Sequence, residues 1–128
     1  MSELVSLLEP LCAQLEDKIR KEISGPFNLP KKLIFDRIMP LRVNVTTPSE
    51  SSYFELLSGG RVQLHQGSAS ESDVTISADL AVLKELIVRQ SKSFFEDAEK
   101  TGKIIVKSQT WKGEQAVNQV RQLFSQMP

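Results

Sequence analysis

Apolar residues recur at helical spacing near the start of the chain. Leu4, Leu8, Leu11, Leu15 and Ile19 stand three or four positions apart, flanked by Val5, Cys12 and Ile23. That period predicts an N-terminal amphipathic helix within residues 1–25. Pro10 is awkward in the middle of it. A helix from about Pro10 to Ile23, with proline in its first turn and a preceding turn set at an angle, is the alternative. Ser24-Gly25-Pro26 stops the helix with Gly25 as its C-terminal cap, and residues 26–32 form a Pro-containing connector.

The period then shortens to two. Leu33-Ile34-Phe35 and Leu41-Arg42-Val43-Asn44-Val45 read as extended segments, with Pro40 marking a break, an edge or a bulge between them. Tyr53-Phe54-Glu55-Leu56-Leu57 and Arg61-Val62-Gln63-Leu64-His65 flank Ser58-Gly59-Gly60, a hairpin signal because glycine tolerates positive φ. Val74 and Ile76 alternate with Thr75 and Ser77 in a further strand. Ser77 is expected to cap the next helix, with Asp79 in its first turn and Leu80, Leu83, Leu86 and Ile87 on its apolar face. Ser93-Phe94-Phe95-Glu96 has capping-box spacing and starts a short helix that Gly102 ends. Lys103-Ile104-Ile105-Val106-Lys107 is the last strand. Ala116, Val117, Val120, Leu123, Phe124 and Met127 then form the apolar stripe of a closing helix.

Composition narrows the functions open to such a fold. At 128 residues the chain suits one domain with one hydrophobic core. Sixteen acidic residues balance sixteen basic ones, so no long-range field steers nucleic acid. By segment, residues 1–28 carry five acids and three bases (−2), 29–70 three and five (+2), and 71–128 eight of each. None of these is lopsided enough to mark an electrostatic partner.

Reactive chemistry is scarce. Cys12 is the single cysteine and His65 the single histidine, so neither a disulfide, a thiolate cluster nor a multi-histidine zinc site is expected. Cys12 sits among leucines, as a buried and inert thiol does. His65 shares the polar face of its strand with Arg61 and Gln63. An enzymatic role would fall to His65 with Asp73 or Glu71, the least favoured option. The carboxylate pairs Glu16-Asp17 and Glu96-Asp97 read as surface charge, and Gly59-Gly60 lacks the rest of a phosphate loop. Trp111 reads as an anchor plugging the end of the core. Phe94-Phe95 is either core filler or the mouth of an apolar pocket. No cofactor or metal is called for. Met1-Ser2-Glu3 has no positive leader region, no apolar run is long enough to span a bilayer, and the chain ends Ser-Gln-Met-Pro, so a soluble cytoplasmic protein is expected.

In this order and spacing, Gly59-Gly60-Arg61-Val62-Gln63-Leu64, Ser72-Asp73-Val74-Thr75-Ile76-Ser77 with Asp79-Leu80, and Phe94-Phe95 through Gly102-Lys103-Ile104-Ile105-Val106-Lys107 resemble the sterol carrier protein type-2 domain family. The resemblance covers roughly Leu33 to Phe124, with residues 31–127 as the lipid-binding core. It implies an α+β fold: a five-stranded, mainly antiparallel sheet with helices packed on one face. It also implies a non-enzymatic role, binding or presenting a sterol, fatty acyl or isoprenoid-type lipid in an apolar tunnel between the sheet and the last helix. The implied lining residues are Val74, Ile76, Leu83, Leu86, Ile87, Phe94, Phe95, Ile105, Val117, Val120, Leu123 and Phe124. Such a tunnel needs no reactive groups, because about 0.8 kcal/mol per buried CH₂ gives a sixteen-carbon chain roughly 12 kcal/mol of gross driving force. The expected partners are a hydrophobic small molecule or lipid, and transiently a membrane, with no nucleic acid. The alternative is a protein-interaction or dimerisation module of a lipid or quinone biosynthesis complex, using an N-terminal leucine stripe too long for one small sheet to cover.

Overall fold

A computed structural model describes residues 3–23, 37, 39–89 and 91–125, with the backbone alone at 22, 23, 92 and 119–125. Helix α1 (Glu3–Ile23) leads into strands β1 (Leu41–Thr46), β2 (Ser51–Leu57) and β3 (Arg61–Gln66), then β4 (Val74–Ala78). Helices α2 (Leu80–Arg89) and α3 (Lys92–Lys100), strand β5 (Ile104–Ser108) and helix α4 (Trp111–Ser125) follow. The strands form one sheet in the order β3-β2-β1-β4-β5. Every pairing is antiparallel except β1 with β4, where α1-free loop 67–73 carries the chain back to the middle of the sheet. The expected α+β architecture, five-stranded and mainly antiparallel with helices on one face, is the one observed.

Register sorts the side chains into two faces. Leu41, Leu56 and Val62 lie in one row, Val43, Phe54, Leu64 and Val74 in the next, and Val45, Ser52, Ile76 and Val106 in a third. This is the apolar face. The other carries Arg42, Asn44, Tyr53, Glu55, Gln63, His65, Thr75, Ser77 and Lys107. Alternation along β1, β3 and β4 produced the division, since a slip of one residue would invert it.

The predicted hairpin turns through Ser58–Gly60, where Gly59 and Gly60 take φ of 81° and 80°. The segment Leu33-Ile34-Phe35, the proposed cap Gly25, the 26–32 connector and Met127 lie outside the described residues. Two caps differ from expectation. Ser77 stays in β4, its Oγ 2.9 Å from Thr46 Oγ1 on the paired strand, and Asp79 takes the cap position, its carbonyl accepting from Leu83 N. Helix α3 begins one residue before the Ser93 that was expected to cap it. Ser91 therefore caps it, accepting from Phe94 N at 3.4 Å.

Pro10 lies inside α1 and does not begin it. A proline there removes a backbone hydrogen bond and costs about 3 kcal/mol, but burial on both sides holds the helix through it. Leu4 and Leu8, before the proline, are 0 % and 2 % exposed, and Ile19, beyond it, is also buried. The helix lies over β3 and β2, which bury Leu4, Leu8 and Ile19 of the leucine stripe and cover Leu11 and Leu15 in part. Polar contacts add to this. Leu4 N donates to Glu50 Oε2 at 3.2 Å, Val62 N to Glu16 Oε2 at 2.9 Å, and Cys12 Sγ to the Val62 carbonyl at 3.4 Å. Val62 belongs to an edge strand, and α1 takes up both of its backbone groups, closing an edge that would otherwise invite pairing. Glu16→Ala is expected to cost about 1–3 kcal/mol, the penalty of an unsatisfied, half-buried N–H. Urea unfolding checks this, and an unchanged midpoint would show the contact to be dispensable.

Candidate functional site

The apolar face of the sheet is roofed from two sides. On the β3 side, α1 supplies Leu4, Leu8 and Ile19, with Leu7, Leu11, Cys12 and Leu15 partly buried against the same core. On the β5 side, α2 and α3 supply Leu83, Phe95 and Ala98, backed by Leu80, Val82, Leu86 and Ile87. Helix α4 reaches the sheet at Ala116, against a small cluster of Met39, Leu41, Val43 and Leu56.

A hydrogen-bonded clamp sets the height of α4. Asp73, just before β4, accepts from Arg42 N through Oδ2 at 3.0 Å and from Thr110 Oγ1 through Oδ1 at 2.7 Å. Its carbonyl accepts from Gln109 N at 2.8 Å. Thr110 in turn caps α4, its Oγ1 accepting from Gly113 N at 3.0 Å. Gly113 is buried, and its missing side chain lets the helix rest directly on the Asp73 carbonyl.

Closure of the apolar face is uneven. Leu41, Val45, Phe54, Val62, Val74, Ala78 and Ile104 are buried. Val43 on the central strand, and Ile76 and Val106 side by side on β4 and β5, remain partly exposed. So do Leu86 and Ile87 on α2, Phe94 on α3 and Val117 on α4. Apolar side chains are thus left incompletely covered on both layers toward α2 and α4, as Leu56 and Leu64 on the sheet and Leu7, Leu11 and Leu15 on α1 also are.

The expected lining residues divide accordingly. Leu83 and Phe95 are core, and pack in one cluster with Ile76, Leu86 and Ile87. Val74 is buried beneath α4. Phe94 turns its ring under the Arg89 guanidinium, 5.2 Å from the centroid. Ile105 does not join them. It pairs with Ser77 on the polar face and is 47 % exposed, because Ile104 and Val106 take the inward positions of the strand. Val120, Leu123 and Phe124 lie in α4, but their side chains fall outside the described set. Sequence reasoning missed α1 as half of the roof and Val43 as part of the floor. The leucine stripe, together with the alternation of β1, was the signal for both.

The polar face does not assemble the residues of the enzymatic option. His65 stacks on Tyr53, centroids 4.8 Å apart, and its Nε2 lies 3.5 Å from Glu55 Oε1, which leaves that nitrogen without a hydrogen bond. Glu55 Oε2 instead pairs with Arg42 Nε at 3.1 Å. Asp73 belongs to the α4 clamp, and β2 and β1 stand between β3 and β4, a span of roughly 14 Å at ordinary strand spacing. Glu71 lines an open polar cleft of about 600 Å³ with Arg42, Asp73, Thr110 and Lys112. Its groups largely satisfy one another, Lys112 Nζ donating to the Pro40 carbonyl at 3.2 Å.

Cys12 is partly buried, and its pKa is raised, first by that burial and then by the negative charges of Glu16 and Glu9. This disfavours the nucleophilic thiolate. Among the described residues, no group of histidine, cysteine and carboxylate side chains is placed to hold a metal ion, and no helix is long and apolar enough to cross a membrane.

No family model matches the chain, and no curated protein matches it. Solved structures do. The sterol carrier protein 2-like 2 of Aedes aegypti superposes with a TM-score of 0.54 at 17 % identity, covering 97 % of this chain and 99 % of that one. The sterol carrier protein domain 2 of Helicoverpa armigera gives 0.56 at 15 % identity over 95 % and 91 %. A ubiquinone synthesis protein, UbiJ-SCP2, gives 0.55 at 18 % over 92 % and 96 %. The fold of this chain is sterol carrier protein 2-like.

Proposed function

We propose that this protein binds an elongated apolar molecule, a lipid of the sterol, fatty acyl or isoprenoid class, without transforming it chemically. The guest lies between the apolar face of the sheet and helices α2 and α4. The observation that carries this proposal is the partial exposure of Val43, Ile76 and Val106 on the sheet together with that of Leu86 and Ile87 on α2 and Val117 on α4. A hydrocarbon chain is the complement of such a surface. Each methylene buried there contributes about 0.8 kcal/mol before the cost of ordering the chain. The shared fold with proteins named as sterol carriers supports the class of ligand. The likeness to UbiJ-SCP2 is compatible with work beside a lipid or quinone biosynthesis complex. The N-terminal helix does not favour that alternative, since Leu4, Leu8 and Ile19 of its stripe are buried, while Leu11 and Leu15 stay partly exposed.

Titration with a fluorescent fatty acid, with native mass spectrometry of freshly purified protein, tests the proposal. A one-to-one complex at micromolar concentration is expected. Val106→Phe supplies the local test. If the space is real, the larger ring fills it, weakening fatty acid binding at least tenfold (about 1.4 kcal/mol) with little loss of stability. If the layers already meet, overpacking costs about 1–3 kcal/mol and no fatty acid binds to either protein, an outcome that rejects the proposal.

A further inference from the structure

We propose that the outer side of β5, together with the chain on either side of it, is a docking surface for an anionic lipid bilayer. The inference rests on the lipid-binding reading, because a bilayer is where an apolar guest is collected or released. It is carried by a charge imbalance that the balanced whole conceals. Between Glu99 and Glu114 the sequence Lys100-Thr-Gly-Lys-Ile-Ile-Val-Lys-Ser-Gln-Thr-Trp-Lys-Gly113 holds four lysines and no acid, in a chain whose net charge is zero.

Several other cations of the surface are paired, although Lys18, Arg61 and Lys84 are not among the described residues. Arg20 and Lys21 pair with acids one turn away on α1, Arg89 with Glu85 on α2, and Arg42 with Glu55 on the sheet. Lys100, Lys103 and Lys107 are exposed and make no ion pair among the described residues. Lys112 is partly engaged with the Pro40 carbonyl. The strand partners of Ile105 and Lys107 are the uncharged Ser77 and Thr75. Asp73 and Asp79 stand immediately beyond the two ends of β4, each two residues from one of these partners.

Lysines alone would be explained as protection of an edge strand, but apolar groups stand among them. Ile105 projects from the polar face between Lys103 and Lys107, and Trp111, at the start of α4, is 66 % exposed. The anchoring role expected of Trp111 does not hold, because its side chain is exposed while Gly113 and Ala116 of the same helix meet the sheet. Unpaired lysines flanking an exposed isoleucine, with an exposed tryptophan four residues along the chain from Lys107, fit a headgroup layer, where phosphates meet the cations and the rings sit at the hydrocarbon boundary. A nucleic acid would use the lysines but leave Ile105 without a role.

The test uses the full chain and vesicles of phosphatidylcholine with or without phosphatidylserine. Trp111 is the single tryptophan, so its emission reports this surface alone. Expected are sedimentation with phosphatidylserine vesicles, a blue shift of emission, and loss of both at high salt. Each lysine near an anionic surface contributes about fivefold in partitioning, so Lys103→Gln with Lys107→Gln should lose roughly 25-fold. The Lys→Arg pair should bind as the wild type does. Absence of vesicle binding, binding indifferent to the glutamines, an unmoved emission spectrum, or equal affinity for duplex DNA would each overturn the proposal. Fatty acid titration of the glutamine variant separates the two readings. Retained fatty acid binding without vesicle binding removes the docking surface and leaves the carrier, whereas vesicle binding without fatty acid binding does the reverse.

Discussion

Leu8→Ala is expected to lower the free energy of unfolding by about 3–5 kcal/mol, near the top of the range for leucine truncations in a core. The side chain is 2 % exposed and sits in one cluster with Val45, Phe54 and Val62. Two features place it at the costly end. Its neighbour one turn earlier, Leu4, is fully buried and cannot move in to fill the cavity without losing its own contacts. The helix is also tied to the sheet by Glu16 and Cys12 on Val62 and by Glu50 on Leu4 N, so it cannot settle as a rigid body. Urea unfolding with an unchanged slope checks the value. A loss below about 1 kcal/mol, that of a surface substitution, would mean that the turns before Pro10 are not docked on the sheet. The effect also bears on function, since α1 is half of the roof that keeps the apolar face from water.

Much of this fold was legible because burial on one side writes a period into the chain. The 2.0 period of Leu41–Val45, Arg61–His65 and Val74–Ser77 placed three strands with their inward residues correctly assigned. Gly59 and Gly60 marked a turn that demands positive φ. Local pattern failed where long-range packing decided the outcome. Pro10 argued for a break, but the buried leucines on its N-terminal side outweigh one lost hydrogen bond. Ser77 and Ser93 are good caps on paper, yet strand register holds Ser77 against Thr46, and α3 starts at Lys92. Ile105 looked like Ile104 and Val106 because a run of three apolar residues carries no alternation. Which of the three points outward depends on the pairing of Ile105 with Ser77.

The candidate site was proposed from the sequence as a list of residues and not as a space. Apart from Ile105, which its pairing turns outward, each proposed lining residue whose side chain is described is one that a closed core would also use, so only the pattern of exposure separates the two cases. That pattern puts Leu83 and Phe95 in the core while Ile76, Leu86, Ile87 and Val117 stay partly open. The charge of the β5 segment was hidden for a different reason. Counted over residues 71–128, eight acids cancel eight bases, but the acids lie outside the stretch from Lys100 to Gly113. Screening limits each charge to a neighbourhood of about 10 Å, so the shorter window, with Asp73 held against Thr110 at one end of it, is the physically relevant one.

Gly113→Ala should destabilise the protein by about 2 kcal/mol, against the sign that helix propensity alone would give. Within a helix, alanine is favoured over glycine by about 1 kcal/mol, and the backbone of Gly113 is ordinary helix. The position differs in what faces it. A methyl group there would overlap the Asp73 carbonyl and come within 3.1 Å of Val74 Cγ2. That carbonyl is backbone, already fixed by Gln109 N, while the Asp73 side chain holds Arg42 N and Thr110. None of these can yield cheaply, so α4 must lift from the sheet, an overpacking cost of about 1–3 kcal/mol or more that exceeds the propensity gain. Lifting α4 also draws Ala116 away from Leu41 and Val43, widening the gap in which the apolar guest is proposed to lie. Thermal unfolding with and without a fatty acid measures both consequences. The expected result is a lower midpoint for the free protein and a changed increment on adding the ligand. A variant more stable than the wild type would show that α4 does not rest on Asp73, and the geometry assigned to the ligand space would fall with it.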